Sequence, residues 1–294
     1  MKFRSFILVL LIFQNVIFAK NINNPLIDCW KNQVEPIKND YLNFSYSEKL
    51  HELNHNFKPW ETTDYNGFGN IWINKNQFKK VDTIQNSNRK YSSKTDFNSQ
   101  VLLFQDYGDK SLSKVTNSQF LAMTYNSVKY NPMVLINYFY EKKIQPDSIN
   151  KEFALYKITI NQSIVRLYIS KKEKTLSQVS ILNDDALFGD VLTTFKYSNY
   201  VKINQLKIPK NISIEKYNGK IIDEVEILTS QITSENPIVL EYPKDYKMTD
   251  NESIKSSIEH IKYSDHIQLL ELKHTDDRVL LVEFADFLLI AEAP

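Results

Sequence analysis

One short motif in the chain has the residue types and spacing of a metal site. His51, Glu52 and His55 match the His-Glu-x-x-His pattern, in which a helix places two imidazoles on one side and the glutamate polarises a zinc-bound water. Glu48 and Lys49, just before the motif, are charged, unlike the residues expected on a buried catalytic helix. We therefore favour a solvated helix, and a zinc metallopeptidase is only the third of three functional hypotheses.

The remaining reactive side chains form no recognisable constellation. His260, His266 and His274 are scattered around a polar stretch and a turn. Cys29 is the single cysteine, which excludes an internal disulfide and a Cys-ligated zinc site. Five glycines leave no room for a Gly-rich phosphate loop, and the formal charge of +1 argues against a nucleic-acid partner. We expect no catalytic residue, no metal and no cofactor in this chain.

The amino terminus carries an export signal. Residues 1–4 are a short basic start, and an interrupted apolar stretch follows up to Ala19. A transmembrane helix needs about 20 apolar residues, so a signal peptide over residues 1–19, cleaved after Ala19, fits better. The mature protein is expected to be exported, periplasmic or extracellular, with no stable membrane span.

Hydrophobic periodicity divides the rest of the chain into four segments. Residues 20–66 show helical spacing at Leu26, Trp30 and Val34, and a second helical run at Leu50 and Leu53. Residues 67–236 alternate apolar and polar side chains in successive strands, residues 237–262 are a polar linker, and residues 263–294 form a terminal β-hairpin.

Tight turns connect most of the predicted strands. Asn218-Gly219 is the strongest hairpin signal, and Asn161-Gln162 is a second turn. Such a meander has one apolar face, which a helix must cover. Asn131-Pro132 predicts the start of that helix, as an N-cap followed by proline. The predicted fold class is α+β, a curved, half-barrel-like antiparallel sheet covered by helices and followed by the hairpin.

The terminal hairpin and the middle of the chain resemble known families. Residues 278–294 resemble the opening strands of metallo-β-lactamase-fold hydrolases, and the middle resembles an accessory domain that is similar to the half-barrel of periplasmic lipoprotein carriers. The matching segments of the middle are Leu187–Val191, Tyr197–Tyr200 and Leu206–Pro209. The resemblance implies a zinc site in a His-x-His-x-Asp-His loop after the hairpin, and the present sequence has no such loop.

Two functional hypotheses come before the zinc peptidase. The first is a non-catalytic accessory region of an exported metallo-β-lactamase-fold hydrolase, with zinc implied only for the absent catalytic core. The alternative is a stand-alone periplasmic binder of a lipid or other apolar ligand. The oligomeric state stays open.

The apolar face of the sheet supplies the candidate ligand-binding residues. If the alternation along each strand is maintained, the candidate residues on the strands share one face of the sheet, and Phe139 lies on the covering helix. They are Phe139, Tyr156, Ile158, Val165, Leu167, Phe195, Ile212 and Ile214, with Ile160 and Ile169 beside them. Periodicity cannot separate a ligand cavity from a filled core, and we favour the filled core because most alternating faces simply pack.

Overall fold

The computed structural model of the chain describes residues 24–37, 39–53, 62–98, 101–115, 128–160, 162–185, 189–216, 219–249, 258–272 and 277–293. The predicted signal peptide, residues 1–19, lies outside these ranges. The described residues form two β-sheets and three helical segments. Helix α1 spans Pro25–Gln33, a 3-10 turn spans Glu35–Ile37 and helix α2 spans Met133–Glu141. Among the described residues, no helix is long and apolar enough to cross a membrane.

The larger sheet contains fourteen strands in the order β14-β6-β5-β4-β3-β2-β1-β13-β12-β11-β10-β9-β8-β7. Its neighbouring strands are antiparallel, except that β14 runs parallel to β6. The strands are β1 (Tyr41–Leu53), β2 (Thr62–Ile73), β3 (Phe78–Gln85), β4 (Lys90–Phe97), β5 (Leu102–Asp106), β6 (Ser111–Val115), β7 (Ser148–Ile149), β8 (Phe153–Ile160), β9 (Ser163–Ser170), β10 (Thr175–Asp185), β11 (Gly189–Ile203), β12 (Leu206–Lys216), β13 (Lys220–Thr233) and β14 (Lys247–Thr249).

Two meanders make up this sheet, and their junction lies at its centre. Strands β1 to β6 follow one another in sequence, as do β7 to β13, and β1 pairs with β13. The predicted hairpin turn between β12 and β13 is confirmed, with Gly219 at a φ of +86° that suits glycine. Gln162 turns the chain between β8 and β9, also with a positive φ.

Both helices cover one face of the larger sheet, which we call the inner face. Helix α1 contacts β9, β10, β12 and α2. The Asn24 side chain caps α1 by accepting a hydrogen bond from the backbone N–H of Leu26 at 3.1 Å. Trp30 of α1 stacks on Tyr140 of α2, with ring centroids 4.2 Å apart, so the helices form one layer. The predicted curved antiparallel sheet with covering helices is therefore confirmed.

A second sheet contains the strands β15 (Ile258–Ser264), β16 (Ile267–Leu272), β17 (Asp277–Glu283) and β18 (Leu288–Ala293). They are antiparallel in sequence order. None of the described side chains of this sheet is buried, and Ile290 is 66% exposed although it belongs to a nearly continuous apolar run. The expected hairpin is thus part of a four-stranded sheet, and β15 begins inside the stretch that was expected to be a linker.

Two sequence-based expectations need correction. The second helical run, at Leu50 and Leu53, lies in strand β1, because β1 pairs along its whole length with β2. Asn131 does not cap α2 through its side chain; its amide donates to the backbone carbonyl of Asn74 at 2.8 Å, and α2 begins at Met133.

Candidate functional site

The candidate ligand-binding residues lie together in the main hydrophobic core. Ile158 and Ile160 are partly buried, whereas the others are buried between the inner face and the two helices. The buried ones are Phe139, Tyr156, Val165, Leu167, Ile169, Phe195, Ile212 and Ile214. The alternation of the sequence therefore predicted correctly which side chains share the inner face. In this half of the sheet, those side chains pack against the helices.

Tyr156 shows how closely this half of the inner face is tied to the helices. Its hydroxyl donates to the side-chain oxygen of Asn24 at 2.6 Å and accepts from the backbone N–H of Leu26 at 3.1 Å. Burial raises the pKa of Tyr156 to about 12, so the hydroxyl stays protonated at neutral pH. The side chain anchors the start of α1, which is a structural role.

The described part of the His-Glu-x-x-His motif, residues 51–53, lies on a strand and not on a helix. His51 is in strand β1, where its Nδ1 lies 2.8 Å from Oδ1 of Asp64 and its Nε2 lies 3.6 Å from Oε2 of Glu224. His55 lies outside the described residues. Among the residues that the structure describes, no group of three or more His, Cys, Asp or Glu side chains is placed to hold a metal.

The other half of the inner face, on strands β3 to β5, carries a smaller apolar cluster. We call Phe78, Phe97, Leu102 and Phe104 the aromatic cluster; Phe97 and Leu102 are buried, and Phe78 and Phe104 are partly exposed. Phe78 also packs against the main core. Phe78 pairs with Ile73 across the sheet, and directly paired residues share a face. The aromatic cluster therefore extends the apolar inner face beyond the part that α1 contacts.

Charged side chains occupy the inner face next to these apolar rows. Lys129 Nζ pairs with both the Glu48 and the Asp223 carboxylates, and the hydroxyl of Tyr130 donates to Oε2 of Glu48 at 2.5 Å. The side chains of Glu48 and Asp223 are 2% and 7% exposed, so the two carboxylates lie in the protein interior. Buried charges of this kind are costly unless they are paired.

A second ion pair completes this group. Asp82 accepts from Nζ of Lys80 at 2.7 Å and from the hydroxyl of Ser93 at 2.5 Å. Burial raises the pKa of Tyr46, and the negative charges of Asp82, Glu48 and Asp223 raise it further. These contacts define what we call the acid–lysine cluster, which comprises Glu48, Asp82, Asp223, Lys80 and Lys129 with Tyr46 and Tyr130.

Gly69 makes the close packing beside this cluster possible. It pairs with Tyr46 on one side and with Asp82 on the other. A Cβ at Gly69 would lie 2.4 Å from the backbone oxygen of Val81, closer than real Cβ contacts allow. Only glycine fits between the two neighbouring strands at this point.

The acid–lysine cluster is unbalanced in charge and in hydrogen bonding. Oδ1 of Asp223 is buried and has no hydrogen-bond partner among the described residues. Burial raises the pKa of Asp223 to about 7; the positive charge of Lys129 opposes this shift and the charge of Glu48 adds to it. A strongly shifted, incompletely satisfied acid is typical of functional sites. We therefore take the acid–lysine cluster as one candidate site and the aromatic cluster as another.

The sequence patterns did not reveal this site, although one signal for it was present. Leu42, Phe44, Tyr46 and Glu48 alternate with period two, so an acid stands at a position where strand β1 would bury an apolar side chain. The helical assignment of this segment hid that alternation. The partners Lys129 and Asp223 are too distant in sequence for spacing to connect them.

The outer face of the larger sheet carries an open groove of about 570 Å³ across β2, β1, β13, β12 and β11. Outward-facing Ser47, Asn66, Asn211 and Glu226 are among its lining residues, and Phe68 stands at its end, 46% exposed. The groove is open and lined by both polar and apolar side chains, so it offers a solvated surface with which the inner face can be compared.

No protein-family model matches the chain, and no curated protein matches it in sequence. Among solved structures, the chain is similar to a LolA superfamily protein from Nitrosomonas europaea, with 12% identity, a TM-score of 0.45, and coverage of 70% of this chain and 91% of that one. It is also similar to a putative outer membrane lipoprotein-sorting protein domain from Vibrio parahaemolyticus, with 10% identity, a TM-score of 0.32, and coverage of 65% and 85%.

An uncharacterized conserved protein from Thermus thermophilus is similar at 8% identity and a TM-score of 0.33, with coverage of 74% of this chain and 94% of that one. The comparisons provide no evidence of a metallo-β-lactamase fold in this chain.

Proposed function

We propose that the protein is an exported binder of a lipid or another apolar ligand, which it holds on the inner face of its larger sheet. The observation that carries the proposal is the partly exposed aromatic cluster, which continues the apolar core beyond the part of the inner face that α1 contacts. Apolar side chains on a concave face, next to a few polar groups, are typical of ligand sites. The export signal in residues 1–19 supports a periplasmic or extracellular location.

The accessory-region hypothesis is less well supported. It depends on the resemblance of residues 278–294 to metallo-β-lactamase strands, which the comparisons do not reinforce. The apolar-ligand hypothesis depends on described residues of the larger sheet, so it is the one we carry forward.

Ligand uptake tests this proposal directly. The mature protein, purified from the compartment to which it is exported, is expected to carry an apolar ligand in native mass spectrometry, or to bind a neutral fluorescent long-chain alcohol after delipidation. Phe104→Asp places a charge in the aromatic cluster and is expected to weaken uptake at least tenfold, because the apolar contact surface is interrupted.

Phe68→Asp is the matched control, since it makes the same change on the outer face, where Phe68 is 46% exposed. This variant is expected to bind the alcohol like the wild type, and thermal unfolding verifies that both variants fold. A ligand-free native mass together with no alcohol uptake by the wild type would contradict the proposal.

A further inference from the structure

The groove on the outer face of the larger sheet contains a continuous row of directly paired residues. Each residue of the row lies opposite the next one on the neighbouring strand, from β2 to β11. The row consists of Phe68, Ser47, Glu226, Asn211 and Ser198, and all five line the groove of about 570 Å³. Directly paired residues share a face, and neighbouring strands lie about 4.8 Å apart, so this outer row extends over about 19 Å.

The polar side chains of the outer row are available to a ligand. Within the described part of the chain, no hydrogen bond or ion pair engages the side chains of Ser47, Glu226 or Ser198. Oδ1 of Asn211 accepts a hydrogen bond from the amide of Asn199 at 2.7 Å, while the amide of Asn211 itself has two N–H donors. The outer row therefore presents hydrogen-bond donors and acceptors side by side.

The charges around the outer row are nearly balanced. Lys49 and Glu224 also line the groove and lie opposite each other on β1 and β13, so their charges offset each other and Glu226 adds one negative charge. A cation in the groove would meet Lys49, and an anion would meet the two glutamates. Because a hydroxyl group both donates and accepts, a neutral ligand with several hydroxyls fits this mixture better than an ion of either sign.

Phe68 places an aromatic ring at one end of the groove. Its side chain is 46% exposed, and it belongs to neither of the buried apolar clusters of the larger sheet. Thr83 lies opposite it on β3, and Asn66 and Asn70 are its neighbours on the same face of β2. A single aromatic surface beside several polar groups is a common way to orient a ligand. A sugar ring has an apolar C–H face for such a surface and hydroxyls for the polar groups.

We propose that the outer groove binds a neutral oligosaccharide, with its hydroxyls bonded to the outer row and one sugar ring stacked on Phe68. The outer row is longer than a single sugar ring, so several linked sugars would lie across the strands. The inference goes beyond the proposed function, because the groove lies on the face opposite the apolar core and takes a different class of ligand.

Calorimetric titration of the mature protein with three unbranched neutral hexasaccharides tests the inference. The probes are cellohexaose, maltohexaose and N-acetylchitohexaose. We expect at least one of them to bind with a Kd below about 1 mM. Its affinity should be nearly equal in about 0.05 M and about 0.5 M NaCl, since a neutral ligand forms no ion pair for salt to screen. If none of the three binds at millimolar concentration, the inference is overturned.

Phe68→Asp removes the ring from the groove and is expected to weaken binding of that hexasaccharide at least tenfold, because the apolar contact is lost. Leu192→Asp is the matched control. Leu192 is also 46% exposed and lies on the same face of β11 as Ser198, but outside the groove. This variant is expected to bind the hexasaccharide like the wild type, and thermal unfolding verifies that both variants fold. An equal loss in the two variants would overturn the assignment of the groove.

Two substitutions of Glu226 distinguish recognition of hydroxyls from recognition of charge. Glu226→Gln keeps an acceptor oxygen and is expected to change the affinity by less than threefold. Glu226→Ala removes the acceptor and is expected to weaken binding at least fivefold. If Glu226→Gln weakens binding as much as Glu226→Ala does, the negative charge selects the ligand and the assignment of a neutral oligosaccharide is wrong.

The fluorescent alcohol separates this inference from the proposed function. Saturation with the alcohol is expected to leave the affinity for the hexasaccharide unchanged, since the two ligands would occupy opposite faces of the sheet. Displacement of one ligand by the other would overturn the inference. Binding of a hexasaccharide without uptake of the alcohol contradicts only the proposed function, and the reverse result contradicts only the present inference.

Discussion

The two sheets of this protein use similar strand sequences in different surroundings. In the larger sheet, Phe195 and Ile212 are about 2% exposed, because helices α1 and α2 pack on the inner face. In the four-stranded sheet, Leu288 and Ile290 are 54% and 66% exposed, although they are as apolar. An apolar strand is therefore buried only where the rest of the fold provides a layer against it.

The largest expected effect is in the core of the larger sheet. Phe195→Ala removes a buried ring that packs beneath the helices, and such truncations lower the free energy of unfolding by about 3–5 kcal/mol. Urea unfolding followed by tryptophan fluorescence measures the loss. A change below about 1 kcal/mol would show that the helix-covered half is loosely packed, and the contrast between the two sheets would disappear.

Lys129→Met is expected to destabilise the larger sheet by about 3 kcal/mol at pH 8, because Glu48 and Asp223 would remain buried without their shared cation. The same urea titration measures this change. Lys110→Met is a suitable control, since Lys110 forms an exposed ion pair with Asp245. This substitution should lower the free energy of unfolding by less than about 1 kcal/mol. Similar effects of the two substitutions would contradict the description of the cluster as buried.

Asp223 is expected to make the larger sheet less stable as the pH rises. Its pKa is about 7 in the folded protein, against about 3.9 in an unfolded chain, so between these values the folded state holds the proton more tightly. This contribution to stability is fully present below pH 4 and is lost as the pH rises through 7. One proton changes the free energy of unfolding by about 1.4 kcal/mol per pH unit. When the pH rises from 5.5 to 7.5, the free energy of unfolding of Asp223→Asn should therefore increase by roughly 2 kcal/mol relative to that of the wild type.

Unfolding curves of both proteins at the two pH values provide this comparison, and the difference between variant and wild type cancels the titration of other groups. A difference that does not change with pH would mean that Asp223 is ionised throughout.

The smallest expected effect is in the four-stranded sheet. Ile290→Ser should change the free energy of unfolding of the larger sheet by less than about 0.5 kcal/mol, as is usual for exposed positions. It should also reduce the binding of the dye ANS, which reports exposed apolar surface. A destabilisation comparable with that of Phe195→Ala would mean that Ile290 is covered in solution, and the difference between the two sheets would then be wrong.

Sequence patterns predicted the meander well and the central strands poorly. The strands from β8 to β13 alternate regularly, and their turns carry Gln162 and Gly219, so local signals were sufficient. Strand β1 was assigned to a helix because Leu50 and Leu53 also fit a helical period. Its strand conformation depends on pairing with β2 and β13, and such tertiary contacts override local propensity.

The candidate site was harder to predict for the same reason. The alternation of apolar and polar residues along the strands is sufficient to place Tyr156 and Phe195 on the apolar face. The acid–lysine cluster joins Glu48, Lys129 and Asp223, which meet only after distant strands have paired. Neither motif spacing nor composition contains that information.

The central pairing of β1 with β13 has a consequence for how the chain reaches its native state. The hydroxyls of Ser45 and Thr229 meet at 2.6 Å across this junction, from positions 184 residues apart. Each meander closes through short-range contacts, whereas the junction requires a long loop to close, which is slow in proteins of this type. Until residues near 229 have been synthesised the two meanders cannot join through this pairing, so the complete fourteen-stranded sheet forms only after most of the chain is made.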